Sequence, residues 1–254
     1  MIPPPRRPAT PDGLFLWVMS RFAEAFEEHA ILKGGMALRL LDCPRSTTDV
    51  DYVFVPYRSM KDVLPRFERV ERVLAELEDA EIGLEVHSRM FRATIRLDDA
   101  AIQIEAGVDM DCPAMPIPTA GLARSQGRPS SIVRIMALDH ALSAKLAAWN
   151  ERRLLRDLYD CYFLSSRLGE TPAMDVLDRR LRKVESRLPH LKRVRSMTRR
   201  EFAAELRAAA TDLTEDDVRD ELAPILPDDE LQGLVPRIRS AVVKLAERLE
   251  DSKE

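Results

Sequence analysis

The 254-residue sequence has few of the residues that cross-link small folds or bind structural metals. Its three cysteines show no CxxC or Cys/His ligand spacing, so neither a disulfide framework nor a zinc site is indicated. Its four histidines form no HxH or HxxxH pair, which leaves a histidine-metal site without support. A chain of this length buries a core large enough to fold without either device.

Long apolar runs are also missing. The longest apolar stretches fall well short of the roughly 20 residues that a membrane-spanning helix requires. The opening residues, MIPPPRRPATPDG, have no apolar core of a signal peptide. Charged residues make up 32% of the chain and hydrophobic residues 45%, as in soluble globular proteins. We therefore expect a cytoplasmic protein with no membrane partner.

The net charge of −4 hides a locally basic segment in the second half of the sequence. Two interpretations of it stay open: a solvated helix surface, or a track for the phosphates of a nucleic acid. Its cations are Lys145, Arg152, Arg153, Arg156, Arg167, Arg179, Arg180, Arg182, Lys183, Arg187, Lys192, Arg193, Arg195 and Arg199.

Hydrophobic periodicity predicts an α/β fold, a mixed sheet with flanking helices, followed by an all-helical C-terminal region. We predict a flexible N-terminus over residues 1–13, an α/β core over 14–131 and a helical region over 132–254. The predicted strands are 31–33, 49–55, 81–88, 90–97 and 101–108, and the predicted helices of the core are 14–30, 36–42 and 60–79. Residues 112–131, rich in proline, are predicted to be a surface connection.

The helical region is predicted to contain six helices. We expect the third of them, Ala173–Leu188, to begin with Thr171 as its N-cap and Pro172 in its first turn. The others are predicted at 137–149, 154–165, 198–210, 215–226 and 231–252.

A DVD sequence on a predicted strand is the first candidate for chemistry. Alternation along the strand puts Asp49 and Asp51 on one face, opposite Val50 and Tyr52. Two carboxylates this close repel each other, and a divalent metal makes the pair favourable. Magnesium suits them because it takes carboxylates together with phosphate oxygens.

A Gly-Gly pair precedes this strand. Gly34 and Gly35 stand at a predicted strand-to-helix turn, where the missing Cβ lets a phosphate approach backbone N–H groups. A Gly-Gly or Gly-Ser pair followed by Asp-x-Asp on a strand resembles the signature of the DNA polymerase β-like nucleotidyltransferases. Many members carry serine where this chain has Gly35.

That resemblance implies a third carboxylate on a later strand. Glu105, in IQIEAGV, fits the expected apolar-acid-apolar setting and is the candidate third metal ligand. An ordinary outward-facing residue of an alternating strand is the competing interpretation, and Asp109 and Asp111 are rival candidates.

Two motifs in the second half point to one branch of that superfamily. A Lys-Leu-x-Ala helix (Lys145, Leu146, Ala148) is followed by Arg-Asp-Leu-Tyr-Asp at 156–160. With KGGMALR and STTDVD, the pair resembles the AbiEii/AbiGii abortive-infection toxin family, which includes the MenT toxins of mycobacteria. The resemblance covers roughly residues 14–165.

The resemblance implies roles for the matching residues. Lys145 is predicted to bind the triphosphate as a point charge, and Asp157 or Asp160 to position Lys145 or the nucleotide. On a helix, Arg156 and Asp160 are also i,i+4 partners. Because Lys145 is expected on a polar helix face, Lys145→Ala is predicted to leave the melting temperature within about a degree or two of the wild type. Further predicted nucleotide contacts are Arg39, Arg45 and Thr48.

The implied activity is transfer of a nucleoside monophosphate from an NTP, with Mg²⁺ or Mn²⁺, to an RNA acceptor. The resemblance implies that the acceptor is the 3′ end of tRNA and that the protein is a translation-blocking toxin with a cognate antitoxin. Two alternatives remain: nucleotidylation of a protein or small molecule, and a catalytically idle RNA-binding module.

Overall fold

A computed structural model of the protein describes residues 8–88, 90–186, 188 and 196–251. The chain divides into two compact units, the first ending at Ala137 and the second beginning at Leu138. The first unit is α/β and the second is helical, which confirms the predicted fold class.

The first unit is built on a seven-stranded mixed sheet. Its strands are β1 Ala30–Lys33, β2 Asp49–Phe54, β3 Glu81–Val86, β4 Met90–Leu97, β5 Ala100–Val108, β6 Ala114–Pro118 and β7 Ile132–Met136. They lie in the order β3-β4-β5-β2-β1-β7-β6. Strand β2 therefore has two neighbours, β1 running antiparallel and β5 running parallel.

The helices of the first unit are α1 Pro11–Phe26, α2 Gly34–Arg39, α3 Met60–Ala75 and α4 Ala120–Ser125. Helix α1 begins three residues before the predicted Leu14. The Thr10 hydroxyl accepts a hydrogen bond from the backbone N–H of Gly13 at 3.0 Å, and Pro11 occupies the first turn. This combination of a threonine cap and a proline in the first turn is a helix-start signal.

The core of the first unit lies between α1 and one face of the sheet. The ring of Phe22 stacks on that of Tyr52 at 5.0 Å between centroids, and Phe26 packs against Phe54 at 4.8 Å. These aromatic side chains are all buried. Alternate residues of β2 thus anchor the strand to α1, and the residues between them face the other side of the sheet.

The predicted surface connection at 112–131 is wrong. It contains the edge strand β6 and helix α4, and β7 follows at 132–136, where no strand was predicted. Proline misled the prediction, since Pro116 and Pro118 lie on an edge strand, where a missing N–H donor is tolerated. Strand β7 pairs in parallel with β1, so the sheet extends to Met136.

The second unit contains α5 Leu138–Arg152, α6 Leu155–Tyr162, α7 Met174–Leu181, α8 Arg199–Asp212, α9 Glu215–Glu221, α10 Asp228–Leu231 and α11 Leu234–Asp251. A π-helical turn, Phe163–Arg167, continues α6. Helix α11 packs along α8 and also touches α6. In the described part of the chain, no helix is long and apolar enough to cross a membrane.

Helix α7 begins later than predicted and ends at Leu181 rather than Leu188. Its N-cap is Ala173 and not Thr171. The reason lies in α5: the N–H of Ala173 donates to the carbonyl of Asp139 at 3.2 Å, and the Ser143 hydroxyl donates to the Ala173 carbonyl at 2.9 Å. These bonds fix the chain at Ala173, so the helix starts after it.

Candidate active site

Asp49 and Asp51 share the half-exposed face of β2, as predicted. Val50 and Tyr52, at 0% and 2% exposure, lie on the buried face. Because β2 is an interior strand tied to the core through its aromatic residues, the two carboxylates have a rigid backbone beneath them. A metal ion shared by these two carboxylates stays a prediction.

Gly34 lies directly against the Asp51 carboxylate. Its φ of +71° is a left-handed conformation, and a Cβ added there would lie 2.2 Å from Asp51 Oδ2. Any side chain would therefore both strain the turn and displace the carboxylate. The structure thus brings together the glycine turn and the aspartate pair that the sequence predicted separately.

Gly35 makes room for a buried arginine. A Cβ at Gly35 would lie 2.6 Å from Arg45 Nη2 and 2.9 Å from Thr47 Oγ1. Arg45 is 7% exposed, and its Nη1 donates to the Ser46 carbonyl at 3.1 Å. A serine in place of Gly35 would collide with this arrangement. Arg45 thus lies at the turn, as its predicted role requires, and its contact with phosphate stays a prediction.

The two threonines that directly precede Asp49 form hydrogen bonds with it. The Asp49 N–H donates to Thr47 Oγ1 at 3.3 Å, and the Thr48 hydroxyl donates to Asp49 Oδ1 at 3.3 Å. Thr48 is exposed at the edge of the pair. Its predicted contact with the nucleotide remains a prediction.

Glu105 lies beside Asp51 and is held by two neighbours. Its Cα is in register with that of Asp51 across β2 and β5. Its Oε1 accepts hydrogen bonds from Arg92 Nε at 2.9 Å, from Arg92 Nη2 at 2.6 Å and from Gln103 Nε2 at 2.8 Å. The hydrogen bond and charge of Glu105 raise the pKa of Arg92. Glu105 is therefore the carboxylate of an ion pair on the same sheet face as Asp51.

A complete three-carboxylate ligand set is not formed. Across residues 8–88, 90–186, 188 and 196–251, no three His, Cys, Asp or Glu side chains converge as metal ligands. Glu105 as third ligand thus stays a prediction. Its rivals Asp109 and Asp111 are exposed beyond the end of β5, where the N–H of Asp109 bonds the carbonyl of Phe54, at the far end of β2 from Asp49.

Arg39 lies at the other end of α2 from the glycines. Its guanidinium bonds both carboxylate oxygens of Asp12 on α1, at 2.6 and 2.7 Å. The pair lines a cavity of about 430 Å³ together with Pro44 and Leu122. The structure places Arg39 with Asp12, and its predicted nucleotide contact is untested.

Four charged side chains form a cluster in the second unit. Lys145 Nζ lies 2.5 Å from Asp160 Oδ2 and 3.7 Å from Asp157 Oδ1. Arg152 binds both oxygens of Asp157 at 2.6 Å. Both aspartate side chains are 0% exposed, and Lys145 is 15% exposed. The predicted contact of these aspartates with Lys145 is present in the structure.

This cluster bears on two expectations. Arg156 is exposed and the Asp160 carboxylate is buried against Lys145, so Arg156 and Asp160 are not the pair that spacing suggested. The buried contact also argues against the expectation that Lys145→Ala would leave stability unchanged, since the change removes the ammonium partner of the buried Asp160 carboxylate. Breaking a buried pair in this way costs about 3–5 kcal/mol.

The basic segment carries less uncompensated charge than its sequence suggests. Most of its described cations have an acidic partner within the second unit. Besides the pairs of Lys145, its described cations form the ion pairs Arg152–Asp157, Arg153–Glu205, Arg167–Glu230, Arg179–Asp175, Arg180–Glu151, Lys183–Glu185 and Arg199–Asp178. Four cations lie outside the described residues: Arg187, Lys192, Arg193 and Arg195. A phosphate track here remains a prediction.

The contacts of three residues in these clusters were not predicted from the sequence: those of Arg92 and Gln103 with Glu105, and that of Arg152 with Asp157. Alternation shows which face a strand residue takes, but the pairing register decides which residues meet across strands. Arg92 is 13 positions from Glu105, and only the β4–β5 register places them side by side. Arg152 was counted in the basic segment without a partner, although Asp157 follows five positions later.

Comparisons with known proteins indicate the family and the fold. A sequence profile described as "Nucleotidyl transferase AbiEii toxin, Type IV TA system" matches residues 17–244. No curated protein matches the chain. The solved structure of JHP933 from Helicobacter pylori is similar, with a TM-score of 0.57, 18% identity and coverage of 94% of this chain and 92% of that one. A second Helicobacter pylori protein, described as a nucleotidyltransferase, has a TM-score of 0.56, 17% identity and 95% coverage of both chains.

Because the two solved structures share only 18% and 17% of their residues with this chain, they support the fold alone. The profile covers most of the chain, including both the aspartate pair and the Lys145 cluster. It implies an NTP substrate and an antitoxin partner. The chain therefore belongs to the AbiEii family of nucleotidyltransferase toxins.

Proposed function

We propose that this nucleotidyltransferase moves a nucleoside monophosphate from an NTP to a hydroxyl group at the 3′ end of tRNA, and so blocks translation unless its antitoxin is present. The observation that carries the proposal is the Asp49–Asp51 pair on β2, packed against the turn at Gly34. The family supports a toxin that acts by nucleotidyl transfer.

The donor set on β2 fits Mg²⁺ or Mn²⁺. Two carboxylates share one half-exposed face, and magnesium sites in enzymes that handle phosphates commonly use one or two carboxylates, with phosphate oxygens and water as the other ligands. Asp49 and Asp51 would hold the ion. When bound, it would neutralise charge on the triphosphate and polarise the α-phosphate.

The reaction forms one bond and breaks one bond at the α-phosphorus. The acceptor hydroxyl oxygen attacks, its proton is removed, and pyrophosphate leaves from the opposite side. We assign the proton to Glu105, whose backbone is in register with that of Asp51 on the neighbouring strand. The three hydrogen bonds from Arg92 and Gln103 all go to Oε1, so Oε2 is the oxygen that would face the acceptor.

Lys145 is proposed to contact the triphosphate. The buried carboxylates of Asp157 and Asp160 fix its ammonium group, and Arg152 takes up the second charge of the aspartate pair. Asp157 and Asp160 are fully buried, which suits residues that position Lys145 better than residues that touch a substrate.

An RNA acceptor is supported by the exposed cations of the second unit. Arg156, Arg179, Arg182 and Lys183 are exposed. The pairs that Arg179 and Lys183 make are themselves exposed and therefore weak, so their cations can exchange a carboxylate for an RNA phosphate at little cost.

Labelling identifies the acceptor. The purified protein is incubated with each NTP labelled in its α-phosphate, with Mg²⁺, total RNA and the protein fraction of the same cells. Label should appear in RNA of tRNA size, at a 3′ end sensitive to exonuclease, and be absent with Asp51→Asn. Label in a protein or in a small molecule would replace the tRNA proposal by nucleotidylation of that acceptor. If every fraction stayed unlabelled while the protein still bound RNA, a catalytically idle RNA-binding module would replace the proposal.

A further inference from the structure

A row of four charged residues crosses the sheet at the level of Asp51. The strand registers pair Lys33 with Asp51, Asp51 with Glu105, and Glu105 with Arg92. Neighbouring strands are about 4.8 Å apart, so the row spans roughly 14 Å across β1, β2, β5 and β4. A cation thus stands at each end of a pair of acids.

The two cations differ in what they bind. Arg92 is committed to Glu105 through two hydrogen bonds. Lys33 is half-buried, and in the described part of the chain its ammonium group makes no ion pair. A lysine of this kind on a functional face has its three N–H donors available for a ligand.

Lys33 lies on the opposite side of the aspartates from Glu105. It directly precedes Gly34, whose turn packs against Asp51 Oδ2, whereas Glu105 lies on the opposite side of β2. If Glu105 activates the acceptor hydroxyl, an in-line displacement sends pyrophosphate away from Glu105 and toward β1. Lys33 is the cation on that strand beside the aspartates.

We propose that Lys33 binds the β- and γ-phosphates of the NTP and stabilises pyrophosphate as it leaves. This assignment rests on the proposed nucleotidyl transfer at Asp49 and Asp51. A compact ammonium charge suits non-bridging phosphate oxygens. Without nucleotide, the same charge offsets part of the repulsion within the aspartate pair.

Binding of magnesium tripolyphosphate, measured by calorimetry, tests the assignment without requiring the preferred base. Lys33→Met should weaken binding at least about tenfold, because a hydrogen bond from a charged donor contributes this much or more. Lys33→Arg, which keeps the charge, should recover part of the loss. The matched control is Lys61→Met, which removes an exposed lysine on α3 and should bind like the wild type. Thermal melting confirms that each variant is folded.

The results separate this inference from the proposed function. Unchanged tripolyphosphate affinity in Lys33→Met, equal losses in Lys33→Met and Lys61→Met, or a wild type that binds no tripolyphosphate would each overturn the role of Lys33. Transfer of α-labelled nucleotide by the wild type is scored independently. A protein that binds tripolyphosphate through Lys33 but labels no acceptor would contradict the proposed function and leave the phosphate site standing.

Discussion

Replacing Gly34 by alanine should slow nucleotide transfer strongly while lowering the free energy of unfolding only modestly. The new Cβ would lie 2.2 Å from Asp51 Oδ2, and real Cβ atoms essentially never come closer than 3.0 Å, so the carboxylate must retreat by about 0.8 Å. A misplacement of about 1 Å at a catalytic group costs on the order of a hundredfold in rate. The left-handed φ of +71° adds about 1–2 kcal/mol of backbone strain.

Two other glycines provide matched controls. Gly127 and Gly169 have φ values of +59° and +77°, and a Cβ at either would meet no atom within 4 Å. Alanine at these positions should therefore cost a similar 1–2 kcal/mol, approximately, in urea denaturation without slowing nucleotide transfer. The reasoning is refuted if Gly34→Ala transfers nucleotide at the wild-type rate, or if a control loses as much activity as Gly34→Ala.

Three further changes test other parts of the structure. Lys145→Ala should lower the free energy of unfolding by about 3–5 kcal/mol in urea denaturation, since the Asp160 carboxylate is then buried without its ammonium partner. A loss below about 1 kcal/mol would show that the pair is not buried in solution. Arg92→Met should slow transfer while hardly changing tripolyphosphate binding, because Arg92 holds Glu105, the proposed base for the acceptor hydroxyl. Equal losses in both measurements would place Arg92 at the phosphates. Burial raises the pKa of Cys112 from 9.0 to about 11, so its contribution to stability is complete below pH 9 and lost as the pH rises toward 11. Between pH 9 and 11 the free energy of unfolding of Cys112→Ala should therefore fall less than that of the wild type. If the two free energies fell in parallel with pH, this reasoning would be contradicted.

Much of the first unit could be predicted from local patterns. The period-2 pattern placed β2 and the shared face of Asp49 and Asp51, and it gave the bounds of β4. The signal is strong there because each strand buries one face fully. Where proline and exposed residues mask alternation, as in β6, the pattern fails, since an edge strand is held by pairing rather than by burial.

The environment of the site required the structure. The sequence predicted Glu105 beside the aspartates but not its bond to Arg92, because that contact depends on the register between β4 and β5. The sequence also predicted that Lys145 lies on a polar helix face. In the structure, two buried aspartates of α6 cover its ammonium group. The Glu105–Arg92 bond and the covering of Lys145 both depend on contacts between separate strands or helices. Local periodicity carries no information about such contacts.

The most direct test of the central claim follows the two ends of the triphosphate. The purified protein is supplied with Mg²⁺, tRNA and the same NTP labelled in either its α- or its γ-phosphate, and Asp51→Asn is run in parallel. Nucleotidyl transfer at Asp49 and Asp51 predicts α-label in tRNA and γ-label in pyrophosphate, both abolished by EDTA and by Asp51→Asn. Transfer of γ-label to the acceptor, or full α-label transfer by Asp51→Asn, would contradict the assignment of the aspartate pair as the catalytic centre.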